Sequence, residues 1–217
     1  MPLELLKGWQ EKYGLQIFEG WGMSELASFG TATFGRPYKP GSVGPLMQKA
    51  SQMRIVDNDG KEVATGEIGE VVFKGFNVMK GYWNLPNETA KTIRNGWLHT
   101  GDLGYVDEDR YLFLTGRKKD MIIRGGENVF PAEVENILYG NDKILECSVV
   151  GVPDKVYGEE ICAYVALKPG EVATAKELID FCKPHLPTFK QPKTIIFMDS
   201  LPKSSVGKIL KKELRKL

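Results

Sequence analysis

Between Thr31 and Gly116 the chain is dominated by glycines and short β-type runs, and after Arg117 it changes to short strands alternating with helical segments. That change constrains the fold more than any other feature. A strand buries a face of period 2 and a helix a stripe of period 3.6, so the two stretches need different packing partners. In the first stretch the runs Met53 to Val56, Gly69 to Lys74, Trp97 to His99 and Tyr111 to Thr115 read as strands, with Asp59-Gly60 and Glu108-Asp109 as turns between them. A small antiparallel, barrel-like unit is expected. Ahead of it, Leu3, Leu5, Leu6 and Trp9 recur at helical spacing, Gly14 stops the helix after Tyr13, and Leu15 to Phe18 reads as a strand.

Beyond Arg117, strands are expected over Met121 to Ile123, Cys147 to Val152, Ile161 to Leu167 and Lys193 to Met198. Pro131 opens a helix running to Tyr139, where its missing N–H costs nothing. Thr174 and Glu177 form a capping-box pattern for a helix reaching about His185, and Gly207 begins a last helix. The expected class is α+β. Residues 1–116 form the β-rich part and residues 117–217 a small domain of three helices on a mixed sheet, with the boundary at Gly116-Arg117.

With 217 residues, 42% apolar and 26% charged, the chain has the composition of an ordinary globular protein. Its net charge of +1 gives no reason to expect nucleic acid or an anionic surface as a partner. No apolar run approaches a membrane span, and Met1-Pro2-Leu3-Glu4 does not resemble a leader. Cys147, Cys162 and Cys182 are odd in number and set among apolar neighbours, as buried free thiols in a reducing compartment would be, so the cytoplasm is the expected location.

Four short words carry chemistry-bearing residues. Trp21-Gly22-Met23-Ser24-Glu25 follows an expected strand. Its ring could stack on a base, its hydroxyl reach a phosphate and its carboxylate hold Mg²⁺, though taken alone the word reads better as a plain turn with a packed Trp. Thr100-Gly101-Asp102 would set Asp102 at a strand end with its carboxylate free for two ribose hydroxyls, or form a plain turn. Arg124-Gly125-Gly126-Glu127-Asn128, just beyond the charged run Gly116 to Asp120, either approaches a ligand closely or makes a hairpin. Gly207 gives the tight loop that presents Lys208, either to a cleft or to solvent.

The order of these words, together with GEIGEVVFKG, GYWN, GWLHTGDLGYVDEDRYLFLTGRKKDMIIRGGENVFPAEVE, VVGVPD with YGEE, and LPKSSVGKILKKELR, resembles the adenylate-forming superfamily. This group includes acyl-CoA synthetases, peptide-synthetase adenylation domains and firefly luciferase-like enzymes. The resemblance covers nearly the whole chain. It implies a carboxyl-terminal fragment of an ATP-dependent acyl-CoA synthetase of the fatty-acid type, converting a carboxylate, ATP and CoA to acyl-CoA, AMP and pyrophosphate through an acyl-adenylate. Residues 1–116 would be a remnant of the large amino-terminal domain and residues 117–217 a mobile lid.

By the same resemblance, Trp21 with Gly22 and Met23 would lie at the adenine, Ser24 at the α-phosphate and Glu25 at Mg²⁺. Asp102 and Arg117 would hold the ribose, Lys119 would be the hinge, and Arg124, Gly125, Gly126 and Glu127 would line the CoA channel. Lys208 would be catalytic, offsetting charge that builds as the carboxylate attacks the α-phosphorus. Val206 stands where the family has Thr or Ser, which loosens the setting of Lys208, and Trp21 replaces a commoner Tyr. The family's Ser/Thr/Gly-rich phosphate loop does not occur in the sequence, so the chain is expected to be inactive alone and to self-associate through exposed remnant surface. Two other readings remain: a non-catalytic module that binds nucleotide or CoA or serves as an interaction module, and an enzyme that loads a carrier protein.

Overall fold

The computed structural model describes residues 3–217, with side chains from Leu6 onward. Met1 and Pro2, and the side chains of Leu3 and Leu5, lie outside the described residues. The chain forms two compact units, Leu3–Lys118 and Lys119–Leu217.

In the first unit, α1 (Leu3–Tyr13) ends at Gly14, whose φ of +65° suits the left-handed residue that terminates a helix. The strand expected over Leu15 to Phe18 does not form. A strand needs a partner ladder, and pairing begins only where β1 (Gly20–Trp21) meets β2 (Thr31–Ala32), with Trp21 opposite Thr31. Phe18 instead packs edge-on against Phe34, ring centroids 5.6 Å apart.

The main sheet of this unit is antiparallel, with neighbours in the order β3 (Gln52–Val56), β4 (Gly69–Lys74), β6 (Trp97–Val106) and β5 (Ile93–Arg94); β7 (Leu112–Arg117) pairs with the far half of β6. A short helix, α2 (Pro86–Thr92), leads into β5. Strand β6 runs well past His99, to Val106, because it serves three partners along its length. Register shifts at Glu70/Val72 and Leu103/Gly104 mark bulges, which bend and twist the strands they interrupt. Met53, Ile55, Val71, Phe73, Leu98, Val106 and Leu112 form the core together with Leu26.

The second unit is a mixed sheet with helices on both faces. A long hairpin of β10 (Ile144–Asp154) and β11 (Gly158–Leu167) turns at Lys155 to Tyr157, and β12 (Thr194–Phe197) runs parallel to β11. A small hairpin, β8 (Ile122–Arg124) and β9 (Glu127–Val129), joins β11 through Gly158 opposite Arg124. The period-2 rule is visible along β11. Ile161, Ala163 and Val165 enter the core under α3 (Pro131–Tyr139) and α4 (Ala175–Cys182), and Cys162 and Tyr164 enter a second cluster with Leu201 and Leu214.

Helix α3 has the expected bounds, and α4 starts with the expected capping box, Glu177 N–H donating to Thr174 Oγ1 at 3.2 Å and Thr174 N–H to Glu177 Oε2 at 2.6 Å. Helix α4 ends at Cys182, short of His185, because Pro184 cannot donate to the helical ladder. The last helix, α5, covers only Lys211–Leu214 and does not begin at Gly207. Gly207 has φ +78°, outside the right-handed helical region, and belongs to the preceding loop. All three cysteines are buried and free. Burial pushes the Cys182 thiol up to about 11 and raises Cys147 still further, so both stay protonated at neutral pH.

Candidate functional site

In the first unit, the segment following β1 is held by backbone contacts that require glycine. A Cβ on Gly22 would lie 1.5 Å from the Ser28 carbonyl oxygen, so the chain can fold back here only without a side chain. Met23 precedes a 3₁₀ turn, Ser24–Leu26, that exposes Ser24 and buries Leu26 in the core. Trp21 stacks on Phe73 with ring centroids 5.4 Å apart, so one face of the indole is already covered. The reading of this word as a turn with a packed Trp is the one realised here: Trp21 packs on Phe73, and its edge reaches a polar group.

That group is Asp102. The Trp21 indole N–H donates to Asp102 Oδ2 at 2.8 Å, and Arg117 Nε lies 3.1 Å from Asp102 Oδ1. Asp102 does not stand at a strand end. It sits within β6 opposite Arg117 on β7, because Gly101 (φ +73°) and the neighbouring bulge carry the strand through the Thr100-Gly101-Asp102 word. Nor is its carboxylate free, since Oδ2 accepts from the indole and Oδ1 is ion-paired with Arg117; with two lone pairs per oxygen, further acceptor capacity remains. Asp102 is 8% exposed, whereas the Arg117 side chain is largely in solvent.

Glu25 accepts from the Tyr82 hydroxyl through Oε1 at 2.8 Å, and its carbonyl accepts from Met79 N–H at 2.8 Å. No group of three or more His, Cys, Asp or Glu side chains among the described residues could hold a metal by itself. A lone, hydrogen-bonded carboxylate fits Mg²⁺, which commonly takes one or two carboxylates and completes its shell with water and phosphate oxygens.

A buried carboxylate not singled out from the sequence lies in the same unit. Glu70 Oε2 is 3.3 Å from His99 Nδ1 and 3.4 Å from Lys118 Nζ, and Oε1 accepts from Gly101 N–H at 3.2 Å. Burial pushes its pKa up, and the contacts to His99 and Lys118 outweigh this, so the net shift is downward.

The second unit begins at Lys119, which lies exposed in a 3₁₀ turn, Lys118–Asp120. Arg124 is committed to the protein itself. Its Nε and Nη2 form a fork to Glu160, the latter at 3.0 Å, its Nη1 donates to the Phe189 carbonyl at 3.2 Å, and its guanidinium lies 4.7 Å from the Tyr157 ring centroid. Gly125 and Gly126 turn the β8–β9 hairpin at φ +59° and +90°, and Gly125 N–H donates to the Tyr157 carbonyl at 2.8 Å. Glu127 is exposed.

Lys208 ends a loop closed on itself. Ser204 N–H donates to the Lys208 carbonyl at 2.8 Å, Gly207 N–H to the Ser204 carbonyl at 2.9 Å, and Lys208 N–H to Ser204 Oγ at 3.2 Å. The Lys208 side chain is exposed, and its ammonium forms no ion pair among the described residues. Below it, Lys211 Nζ donates to Glu135 Oε1 at 2.7 Å and to the Val149 carbonyl at 3.2 Å.

Trp21, Asp102 and Arg117 are thus brought together by one hydrogen bond and one ion pair, Glu25 belongs to a pair with Tyr82, and Arg124 belongs to a pair with Glu160. Tyr82 and Glu160 lie inside the words GYWN and YGEE. Nothing local to those words assigns them partners 57 and 36 residues away.

Known proteins resemble this chain along nearly all of its length. The family model described as AMP-binding enzyme matches residues 1–83, and the one described as AMP-binding enzyme C-terminal domain matches residues 133–208. The chain is 43% identical over 216 residues to a long-chain-fatty-acid–CoA ligase of Bacillus subtilis (strain 168), covering 99% of this chain and 38% of that protein. It is 43% identical over 220 residues to a 2-succinylbenzoate–CoA ligase of Geobacillus sp. (strain WCH70), covering 100% and 44%. The crystal structure of ATP-bound MatB from Rhodopseudomonas palustris matches with a TM-score of 0.94 at 35% identity, over 99% of this chain and 43% of that one. The chain spans about two fifths of the length of these relatives. It belongs to the AMP-binding, adenylate-forming enzymes, whose family model matches its first 83 residues and whose C-terminal-domain model matches residues 133–208.

Proposed function

We propose that this chain is the carboxyl-terminal portion of an ATP-dependent acyl-CoA synthetase. In its complete form such an enzyme joins a carboxylic acid to CoA through an acyl-adenylate. The observation that carries the proposal is the Trp21–Asp102–Arg117 group: a carboxylate fixed by an indole N–H and a guanidinium, with acceptor capacity left for a ribose diol. Trp21, Gly22 and Met23 would border the adenine and Ser24 the α-phosphate. Glu25 would hold Mg²⁺, which when bound offsets phosphate charge.

Lys208, an exposed point charge on a tight loop, suits the charge that develops at the α-phosphorus during adenylation. The same ammonium would obstruct a thiol approaching the acyl-adenylate, so a rotation of the lid at Lys119 would withdraw it and bring forward the hairpin carrying Arg124, Gly125, Gly126 and Glu127. Residues 1–116 would be the remnant of the large domain and 117–217 the lid. The residues that hold the β- and γ-phosphates and most of the acyl pocket belong to the remaining three fifths of the relatives, so the 217-residue chain should bind nucleotide without turnover.

Calorimetry with AMP tests the site: specific binding lost in Asp102→Ala supports it, and no binding, or binding unchanged by that substitution, refutes it. Pyrophosphate release from ATP with a panel of carboxylates tests the inactivity, and turnover at ordinary enzyme rates would refute that part. Exposed Phe34, Phe76 and Trp83 favour self-association of the isolated chain, which sedimentation at high concentration checks. No helix among the described residues is long and apolar enough to cross a membrane. Free buried thiols support a reducing compartment such as the cytoplasm.

A further inference from the structure

Resting on that reading of Glu25, we propose that Tyr82 is a positioning residue for the cation: its hydroxyl fixes one oxygen of the Glu25 carboxylate so that the other faces Mg²⁺. A glutamate has three side-chain torsions, and a metal ligand that must be ordered on binding loses affinity through the rotamer freedom it gives up. Here the ordering is built in from both ends. The main chain of Glu25 is held by Met79 N–H at its carbonyl and by the fully buried Leu26 beside it. Its Oε1 accepts from Tyr82 at 2.8 Å, which leaves Oε2 for an ion.

Tyr82 is itself anchored. Its N–H donates to Thr89 Oγ1 at 2.9 Å, and that hydroxyl donates to the Leu85 carbonyl at 3.0 Å, at the start of α2. The residue before it, Gly81, has φ +153°, and a Cβ there would lie 2.8 Å from Thr89 Cγ2, so the approach of Thr89 to this backbone needs glycine. A chain of contacts therefore runs from α2 through Thr89 and Tyr82 to Glu25. Hydrogen-bond partners of metal ligands orient them, and losing one typically weakens metal affinity about 10- to 100-fold.

The test uses the ¹⁵N-labelled 217-residue chain and Mn²⁺ as a paramagnetic stand-in for Mg²⁺. In the wild type, Mn²⁺ should selectively broaden the amide resonances of Ser24, Glu25 and Leu26, and Glu25→Gln should abolish the effect. In Tyr82→Phe the same broadening should need about tenfold more Mn²⁺ or beyond, while the metal-free amide shifts of Glu25 and Met79 stay at their wild-type positions. An unchanged Mn²⁺ midpoint in Tyr82→Phe, with Glu25→Gln still abolishing the effect, overturns the role of Tyr82 and leaves the reading of Glu25 standing. Broadening absent from the wild type, or surviving in Glu25→Gln, overturns both. Should Tyr82→Phe fail to fold, wild-type chain with ¹³C-labelled tyrosine rings decides: the Tyr82 ring must broaden in step with the Glu25 amide, and a ring left sharp overturns the proposal.

Discussion

The indole N–H of Trp21 donates to Asp102 at 2.8 Å across 81 residues of sequence, tying the end of β1, where the Gly22 loop begins, to the middle of β6. Trp21→Phe would keep the stack on Phe73 and leave a buried carboxylate one donor short. A loss of about 1–3 kcal/mol in unfolding free energy is expected, as for other hydrogen bonds to charged groups. Urea denaturation followed by circular dichroism checks it, and a change within experimental scatter would mean that Arg117 alone satisfies Asp102.

Gly22 is the tightest point of the same loop. A methyl group there meets the Ser28 carbonyl at 1.5 Å, which backbone movement alone can relieve. Gly22→Ala should destabilise the chain by roughly 1–3 kcal/mol, the usual range for forced overpacking, and should shift the amide resonances of Met23 to Ser28. Wild-type stability in this variant would mean that the fold-back is not adopted in solution.

In the second unit, Arg124→Met would leave Glu160, whose side chain is 5% exposed, with only the Ile161 N–H and the more distant Lys193 ammonium at 3.5 Å. The expected cost is about 3 kcal/mol, the range for breaking a buried pair from one side. Arg124→Lys should recover only part of it, because an ammonium cannot reproduce two parallel N–H donors. Thermal melts of the three proteins give the order directly, and Lys matching Arg would show that charge without geometry suffices.

Asp154 and Glu160 contribute to the pH dependence of this unit, alongside the depressed carboxylates Glu177, Asp180 and Glu213. The Tyr157 and Val156 N–H groups hold the Asp154 carboxyl down at about 2, with Lys193 assisting. Burial raises Glu160, and its bonds to Arg124 and the Ile161 N–H lower it further than burial raises it. A depressed folded-state pKa contributes stability that is complete above the unfolded value, about 4, and is lost as pH falls through the folded one. The melting temperature should thus fall between about pH 4 and pH 2. Asp154→Asn should flatten that decline, and an unaltered acid limb in the variant would assign the loss to other carboxylates.

Lys211 anchors the base of the loop that presents Lys208 by bonding Glu135 and the Val149 carbonyl. In Lys211→Met the amides of residues 204–210 should exchange with deuterium several-fold faster, with β10 and β11 unaffected. Equal exchange in the two proteins would show that Leu214, fully buried, holds the loop alone.

Several elements were fixed by residues close together in sequence, and these are the ones that the sequence determined by itself. The helix Pro131–Tyr139 carries its own N1 proline, the Thr174–Glu177 capping box satisfies its own donors, and Gly69–Lys74 holds the β-prone apolar run Val71-Val72-Phe73. The ordered family words likewise marked Trp21, Asp102, Arg117, Arg124 and Lys208. Tertiary structure alone decided which partner each of them meets. Leu15 to Phe18 has strand character and no ladder to join, Asp102 passed from a strand end to mid-strand because β6 serves three neighbours, and the final helix shrank to Lys211–Leu214 once Gly207 was needed in a closed loop. Tyr82 on Glu25 and Glu160 on Arg124 were equally invisible beforehand. A propensity or a cap acts over three or four residues, whereas a ladder or a carboxylate's donor comes from wherever the folded chain returns, here 36 to 81 residues away.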